Sequence, residues 1–374
     1  MRPSLGSCLP DDWRNATLLG RLDLGEGPTA VLIADGLAYD MSAVAPTVAE
    51  LVAGGRIDPA GGRVLGPLPD VAARAQLLSP VDLQCIKAAG VTFAVSALER
   101  VIEEAARGDA SAAAAVRGRL EERIGGSLRA VVPGSHEAAE LKQALIEDGL
   151  WSQYLEVAIG PDAEIFTKGP PLSSVGWGAD IGIRSDSTWN NPEPEVVLLV
   201  SPSGDPVGAV LGNDVNLRDF EGRSALLLGK AKDNNASCAL GPFVRLFDDG
   251  YGMDDVRDAQ ISLRIDGEDG YALDGASSMR EISRDPAELV RQALSQHQYP
   301  DGFVLFLGTL FAPTQDRDEP GRGFTHKPGD RVAIANPWLG RLVNRVTHCG
   351  DAPPWTFGAI ALMRNLAARG LLVA

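Results

Sequence analysis

The chain of 374 residues carries a net charge of -16, with 45% hydrophobic and 22% charged residues. That balance describes a folded protein with a sizeable core, either two domains or one large domain with an accessory region, and excludes a disordered chain. The negative charge argues against nucleic acid or an anionic membrane as a general partner, while a small anionic substrate remains compatible with a bound cation and a few local lysines or arginines.

In chain order, "TLLGRLDLG", "TAVLIADGLAYDMS" and "GRVLGPLPD" are short β-prone runs broken by Gly, Pro and Asp, which predict a small β-rich N-terminal domain over residues 1–85. The stretch "GVTFAVSALERVIEEAARGDASAAAAVRGRLEERIGG" has apolar residues at helical spacing, with Gly125 as its C-cap. A further helix is expected in "SHEAAELKQALIEDG", capped by Ser135 and stopped at Gly149. Beyond "LWSQY" the pattern predicts strands at "EVVLLVS", "GAVLG", "SALLLG", "QISLRID", "GFVLFLGTLF" and "DRVAIAN". Two helices interrupt them, one opened by Asp285, Pro286 and Glu288, the other the C-terminal "TFGAIALMRNLAARG". Runs of strands with few intervening helices predict an α+β fold rather than a doubly wound sheet. The N-terminal stretch has no apolar run of signal-peptide length and no segment reaches membrane-spanning length, which predicts a cytoplasmic protein. Cys8, Cys85, Cys238 and Cys349 form no Cys-x-x-Cys pair and read as reduced thiols.

Most short motifs carry nothing. Gly176, Gly178 and Gly182 are spaced one residue too far for a dinucleotide fingerprint, and Gly229-Lys230 lacks the rest of a P-loop. His136, His297, His326 and His348 form no close pair and read as surface or loop residues. The acids are different. Glu193 and Glu195, two residues apart at the mouth of an apolar run, project from one face of a strand about 7 Å apart, at roughly 3.4 Å per residue. Asp214 lies at the end of the next such run, and Lys230 and Lys232 follow the one after it. Carboxylates crowded in this way are neutralised by protons, water or a hard divalent ion.

The set resembles the fumarylacetoacetate hydrolase superfamily, on Glu193-Pro194-Glu195, "NDVNLRDFEG" with Asp214, "AKDNNASCALGP" with Lys232, and "LGTLF" with Thr309. The resemblance covers residue 86 to the end and implies a mixed β-sandwich roll as the catalytic domain, 86–374, behind the small N-terminal domain. It implies Mg²⁺, with Mn²⁺ as the alternative, held by Glu193, Glu195 and Asp214. It also implies Lys232 rather than Lys230 at the conserved lysine, and a homodimer or homotetramer. Where the family places His-x-x-Glu, this chain has Ser96 and Glu99. Serine is no general base near neutral pH, so water attack on a 1,3-diketo acid by a His–Glu pair loses its base.

The branch with "GVTF…ERVIEE", "NPEPE" and "KAKDNN" is similar to 2-keto-3-deoxy-pentonate dehydratases, which implies conversion of 2-keto-3-deoxy-D-xylonate to α-ketoglutarate semialdehyde and water in non-phosphorylated pentose oxidation. A 2-oxo acid chelating the ion would have acidic C3 hydrogens, and a hydroxyl at C4 would leave as water. Glu99 and Lys232 are the expected proton-transfer groups, with Phe93, Ser96, Lys232, Asn235 and Thr309 around the substrate. Arg218 and Asp219 are expected to pair and brace the Asp214 loop. A Lys232 Schiff base is an alternative chemistry. The rival functions are an acylpyruvate hydrolase, an oxaloacetate decarboxylase, and a non-catalytic metal-binding protein.

Overall fold

A computed structural model describes residues 7–372 except 56, 114–116, 118–127, 129–130, 312, 314 and 321. The expected cap at Gly125 lies outside the described residues. Two sheets face each other. The larger orders its strands Arg63–Pro67, Leu37–Asp40, Pro28–Ala34, Leu18–Asp23, Cys238–Leu246, Pro206–Asp214, Pro194–Val200, Phe303–Phe306, Cys85–Gly90 and Glu164–Gly169, with Gln76–Leu77 on Leu18–Asp23. The smaller orders Ala272–Ser278, Gln260–Asp266, Arg331–Asn336, Gly340–His348 and Asp180–Ile183. Parallel pairs, Phe303–Phe306 with Cys85–Gly90 and Gly340–His348 with Asp180–Ile183, sit among antiparallel ones, a mixed α+β architecture.

Strand Pro194–Val200 shows why the centre is dry. Every residue of it is buried, and period-2 alternation divides its side chains between two cores. Val196, Leu198 and Val200 pack with Ile261, Leu263, Ile334 and Leu342 of the smaller sheet. Val197 and Leu199 face the other way, toward Val48, Leu51 and Val52 of the helix Val48–Ala53. Helices Ala94–Ala105, His136–Glu147 and Gln153–Ile159 carry a third core at the open end of the sheet.

The N-terminal strands are not insulated from the rest. Leu18–Asp23 pairs with Cys238–Leu246, Leu18 opposite Arg245, so one sheet runs across residue 85. Ser135 accepts the Ala138 N–H and Gly149 takes the left-handed φ of +67° that ends the helix; Asp285 likewise caps Ala287. The run "SALLLG" is helical rather than a strand: Ser224 accepts the Leu226 N–H, Ala225–Leu227 makes a 3₁₀ turn, and Leu228–Lys232 continues as α-helix. Leu226 is 95% exposed, so the run has no face to bury. His326 is buried rather than superficial, because its ring packs edge-on to Phe324 and its Nδ1 meets Asp330 at 3.1 Å. None of the four cysteines forms a disulfide. Among the described residues no helix is long and apolar enough to cross a membrane.

Candidate metal and keto-acid site

The register of the central hairpin builds the site. Pro194 stands opposite Asn213 and Glu195 opposite Gly212, and the Asp214 N–H donates to the Glu193 carbonyl at 3.1 Å, so both acidic strand ends open on the same side. Ligand oxygens of Glu193, Glu195 and Asp214, all three buried, lie within 4.8 Å of one another. Glu195 is aimed by the Gly308 amide, which donates to its Oε2 at 2.6 Å. Gly308 has a φ of +91°, and a Cβ there would collide with the Thr92 hydroxyl; only glycine fits the bend that delivers this N–H.

Cations meet the acids from two sides. Lys232 Nζ lies 2.5 Å from Glu193 Oε2 and 3.1 Å from Asp214 Oδ2, and Lys168 Nζ lies 2.7 Å from Asp214 Oδ1. Arg100 holds the other Glu193 oxygen at 2.7 Å and reaches Glu103 at 2.6 Å and Glu221 at 3.0 Å. Burial works against the charge of Asp214, but Lys168 and Lys232 outweigh it and hold the carboxyl below its ordinary value. Burial also opposes the Lys232 ammonium, and Asp214, Glu193 and Glu221 overcome it, holding the group above its usual range. For Glu195 burial and its neighbours Asp214 and Glu193 push the same way, well above the usual carboxylate range. Burial raises Glu164 as well, and lifts Glu221 to about 7, with Glu103 and Glu193 adding to it against Arg100 and Lys232. The cluster thus holds more negative charge than its cations neutralise.

The cleft at these residues encloses a cavity of about 30 Å³ lined by Ser96, Arg100, Glu164, Glu221, Lys232 and Thr309 besides the three acids. That is room for one water or ion, so a keto acid requires Lys232 or its neighbours to move. Among the residues expected at the substrate, Lys232, Ser96 and Thr309 are brought to this cleft. The Ser96 hydroxyl is spent on its own helix, donating to the Phe93 carbonyl at 2.8 Å and accepting the Phe93 N–H at 3.2 Å. Phe93 lies wholly in the apolar core. Asn235 points away, donating to the Cys349 and Pro353 carbonyls at 3.1 and 3.2 Å. Glu99 is buried behind the cleft, its carboxylate shared by Arg117 and by Arg218 at 2.8 Å. Arg218 also holds Glu103 at 2.6 Å, whereas Asp219 accepts from Ser187 and the Thr188 amide, so the expected Arg218–Asp219 pair is not formed. For the buried Arg218 guanidinium, the carboxylates of Glu99 and Glu103 are better partners than Asp219, which already accepts from a hydroxyl and a backbone amide.

Arg100, Glu164, Lys168 and Glu221 were not singled out in the sequence. One signal was available for two of them: "EIFTKG" places Glu164, Phe166 and Lys168 at alternate positions, the same one-face spacing as Glu193 and Glu195. Glu164 stands opposite Gly90, and a Cβ on Gly90 would collide with the Glu164 carboxylate.

The acidic set fits a magnesium ion. Three hard oxygen donors converge, and burial together with the charges of Asp214 and Glu193 raises Glu195, which has no ion pair among the described residues. Residues 152–347 match the family model "Fumarylacetoacetate (FAA) hydrolase C-terminal", and the chain belongs to the fumarylacetoacetate hydrolase superfamily. It is 32% identical over 201 residues to a "Probable 2-keto-3-deoxyxylonate dehydratase" of Haloferax volcanii, covering 54% of this chain and 66% of the relative. It is 32% identical over 186 residues to a "2-dehydro-3-deoxy-D-arabinonate dehydratase" of Saccharolobus solfataricus, covering 49% and 58%. Both matches span less than two thirds of the relative. The fold is that of a solved 2-keto-3-deoxy-D-arabinonate dehydratase complexed with magnesium and 2,5-dioxopentanoate, at a TM-score of 0.64, 20% identity, and coverage of 88% and 99%. A fumarylacetoacetate hydrolase from Exiguobacterium antarcticum follows at 0.56, with 16% identity and coverage of 89% and 100%.

Proposed function

We propose that this chain is a magnesium-dependent dehydratase of 2-keto-3-deoxy-pentonates, taking 2-keto-3-deoxy-D-xylonate to α-ketoglutarate semialdehyde and water. The observation that carries the reading is the buried Glu193–Glu195–Asp214 set, with a lysine bridging Glu193 and Asp214 and no histidine among the described residues that line it. The two dehydratase relatives support the substrate class. Mg²⁺ held by the three acids supplies Lewis acidity to a 2-oxo group and so acidifies the neighbouring C3 hydrogens.

The protein groups then have distinct tasks. The Glu164 side chain lines the cavity and has neither ion pair nor hydrogen bond among the described residues, and burial raises its pKa, which makes it a stronger base than an exposed carboxylate. We assign it the C3 proton. Lys232 stays charged and offers three donors, to the substrate carboxylate or to the departing C4 hydroxyl. The Thr309 hydroxyl, which accepts the Phe311 N–H at 3.1 Å, keeps its own proton to donate to substrate oxygen. Glu99, tied to two arginines, serves as a positioning group for the Arg218–Glu103–Arg100 chain that reaches Glu193.

Purified protein with Mg²⁺, offered 2-keto-3-deoxy-D-xylonate, an acylpyruvate and oxaloacetate in parallel, tests the reading. Dehydration of the sugar acid is the expected preference. Preferential C–C hydrolysis or decarboxylation overturns it, and Mg²⁺ binding with no turnover of any of the three makes the protein a metal binder. Borohydride in the presence of substrate is expected to leave Lys232 unmodified; a covalent adduct there replaces the metal route with an imine.

A further inference from the structure

Lys230, two residues from the lysine of the cleft, has a use of its own on the opposite side of the same segment. We propose that Arg223 and Lys230, buttressed by Arg184, form a binding site for a small oxyanion, a carboxylate or a phosphate, outside the cleft.

The three cations surround one aromatic ring. Arg223 Cζ lies 4.5 Å, Lys230 Nζ 5.1 Å and Arg184 Cζ 5.3 Å from the centroid of buried Phe220. The negative face of the ring attracts cations and fixes their places before any ligand arrives. Arg223 and Lys230 are therefore no more than about 10 Å apart, within roughly one Debye length at 0.1 M salt, and repel each other. The acids nearby are committed elsewhere. Asp186 takes Arg184 through two bonds of 2.8 and 2.7 Å. Asp219 accepts the Ser187 hydroxyl, the Thr188 amide and the Phe220 amide at 2.9, 2.8 and 3.0 Å. Arg223 donates only its Nε, to the Asp219 carbonyl at 3.1 Å. Its two terminal nitrogens and the Lys230 ammonium have no acceptor among the described residues. The cavity lining balances Arg223 and Lys230 against Asp186 and Asp219, so the pull on an oxyanion comes from the unspent donors of the two cations.

Space accompanies the charge. A cavity of about 480 Å³, lined by Gly108, Asp186, Thr188, Asp219, Phe220, Arg223 and Lys230, opens at the two unpartnered cations. That volume suits a small molecule rather than a peptide or a nucleic acid. Gly108, at a φ of +73°, helps keep it open, because a Cβ there would lie 2.5 Å from the Asp219 carbonyl oxygen and 3.2 Å from the Arg223 side chain. An oxyanion gains a fork of guanidinium donors from one side and an ammonium from the other. It also ties residues 223 and 230 together, and this stretch runs between Glu221 and Lys232 of the cleft.

The full chain, with magnesium chelated so that the acidic cleft repels anions, is titrated by calorimetry at low ionic strength. Inorganic phosphate is one arm; glutarate, a dicarboxylate without a 2-oxo group, is the other. Saturable binding of either is expected, and the arm that binds more tightly identifies the source. R223Q/K230Q is expected to weaken it at least about tenfold while its circular-dichroism melt stays that of the parent, since both side chains are on the surface. No heat from either anion, or equal binding by the double variant, overturns the site. No turnover is measured, so the outcome is separate from that of the dehydratase reading.

Discussion

Replacing Lys232 with methionine tests whether this ammonium stands in for a metal ion. Its Nζ is 2.5 Å from Glu193 and 3.1 Å from Asp214, and the residue is 3% exposed. At an effective dielectric of about 20, each contact is worth roughly 5 to 7 kcal/mol of gross attraction. Most of that is cancelled by the desolvation of three charges, and removing one partner of a buried pair typically costs about 3–5 kcal/mol. Lys168 still holds Asp214, so the lower end of that range is expected for K232M in chelator. The variant leaves Glu193 without a lysine and removes the Nζ that competes with a metal ion for it and for Asp214 Oδ2. Magnesium should then bind K232M more tightly than the parent and return about 2.7 kcal/mol at a hundredfold excess over Kd. Denaturant midpoints with and without magnesium, beside calorimetric Mg²⁺ titrations, measure both effects. A variant as stable as the parent in chelator, or one whose Mg²⁺ affinity falls, refutes the role of Lys232 as the resident counterion.

Exchanging Glu164 for glutamine is expected to lower kcat by about 10²–10⁴-fold, the usual worth of a general base, with Mg²⁺ affinity nearly unchanged; full activity removes Glu164 from the proton path. Glu99→Gln instead removes the buried charge that Arg117 and Arg218 share, and about 3 kcal/mol or more of stability should be lost in thermal or denaturant melts. Glu221 has its pKa raised from 4.5 to about 7, so the folded state binds more protons than the unfolded one and metal-free stability falls as pH rises through that window. Glu221→Gln should flatten the slope there by up to about 1.4 kcal/mol per pH unit, and unchanged pH profiles would refute the assignment. Ser96→Ala is expected to cost about 1 kcal/mol through the lost contact with the Phe93 amide, while KM for the keto acid stays put; a large rise in KM would show that the hydroxyl contacts substrate.

The three acids were legible because two independent patterns agree on them. Apolar runs announce buried strands, and carboxylates at their ends have nowhere to go but a common opening, since a hairpin brings consecutive strand ends together. Helix ends were legible for the same local reason, as Ser135, Gly149 and Asp285 each act within four residues of themselves. What escaped depends on contacts between distant segments. Arg100 sits in "ALERVIEE", where it reads as one charge of a solvated helix face, and only the packing of that helix over the hairpin brings it to Glu193, 93 residues on. Glu221 follows the Arg218 and Asp219 that were expected to brace the Asp214 loop, and it is buried because Arg100 and the Tyr154 side chain close over it. "SALLLG" misled because its hydrophobicity resembles a strand while a serine cap and the exposure of Leu226 make it helical.

The charge balance of the whole network points to a divalent ion rather than to protons or a single ammonium. Among the described residues seven carboxylates belong to it, of Glu99, Glu103, Glu164, Glu193, Glu195, Asp214 and Glu221, joined or faced by five cations, of Arg100, Arg117, Lys168, Arg218 and Lys232. The deficit is two charges. Without a metal, burial raises Glu195, Glu164 and Glu221 and their negative neighbours add to it, favouring proton uptake, while two lysines hold Asp214 low. A dipositive ion at Glu193, Glu195 and Asp214 cancels the deficit without protons and frees Glu164 to ionise. The same ion would therefore polarise the substrate and ready the base that deprotonates it. On this account a doubly neutral variant, Glu195→Gln with Glu221→Gln, should fold as stably in chelator as in magnesium, whereas the parent should not; equal gains from magnesium in both would mean that the deficit is compensated elsewhere in the fold.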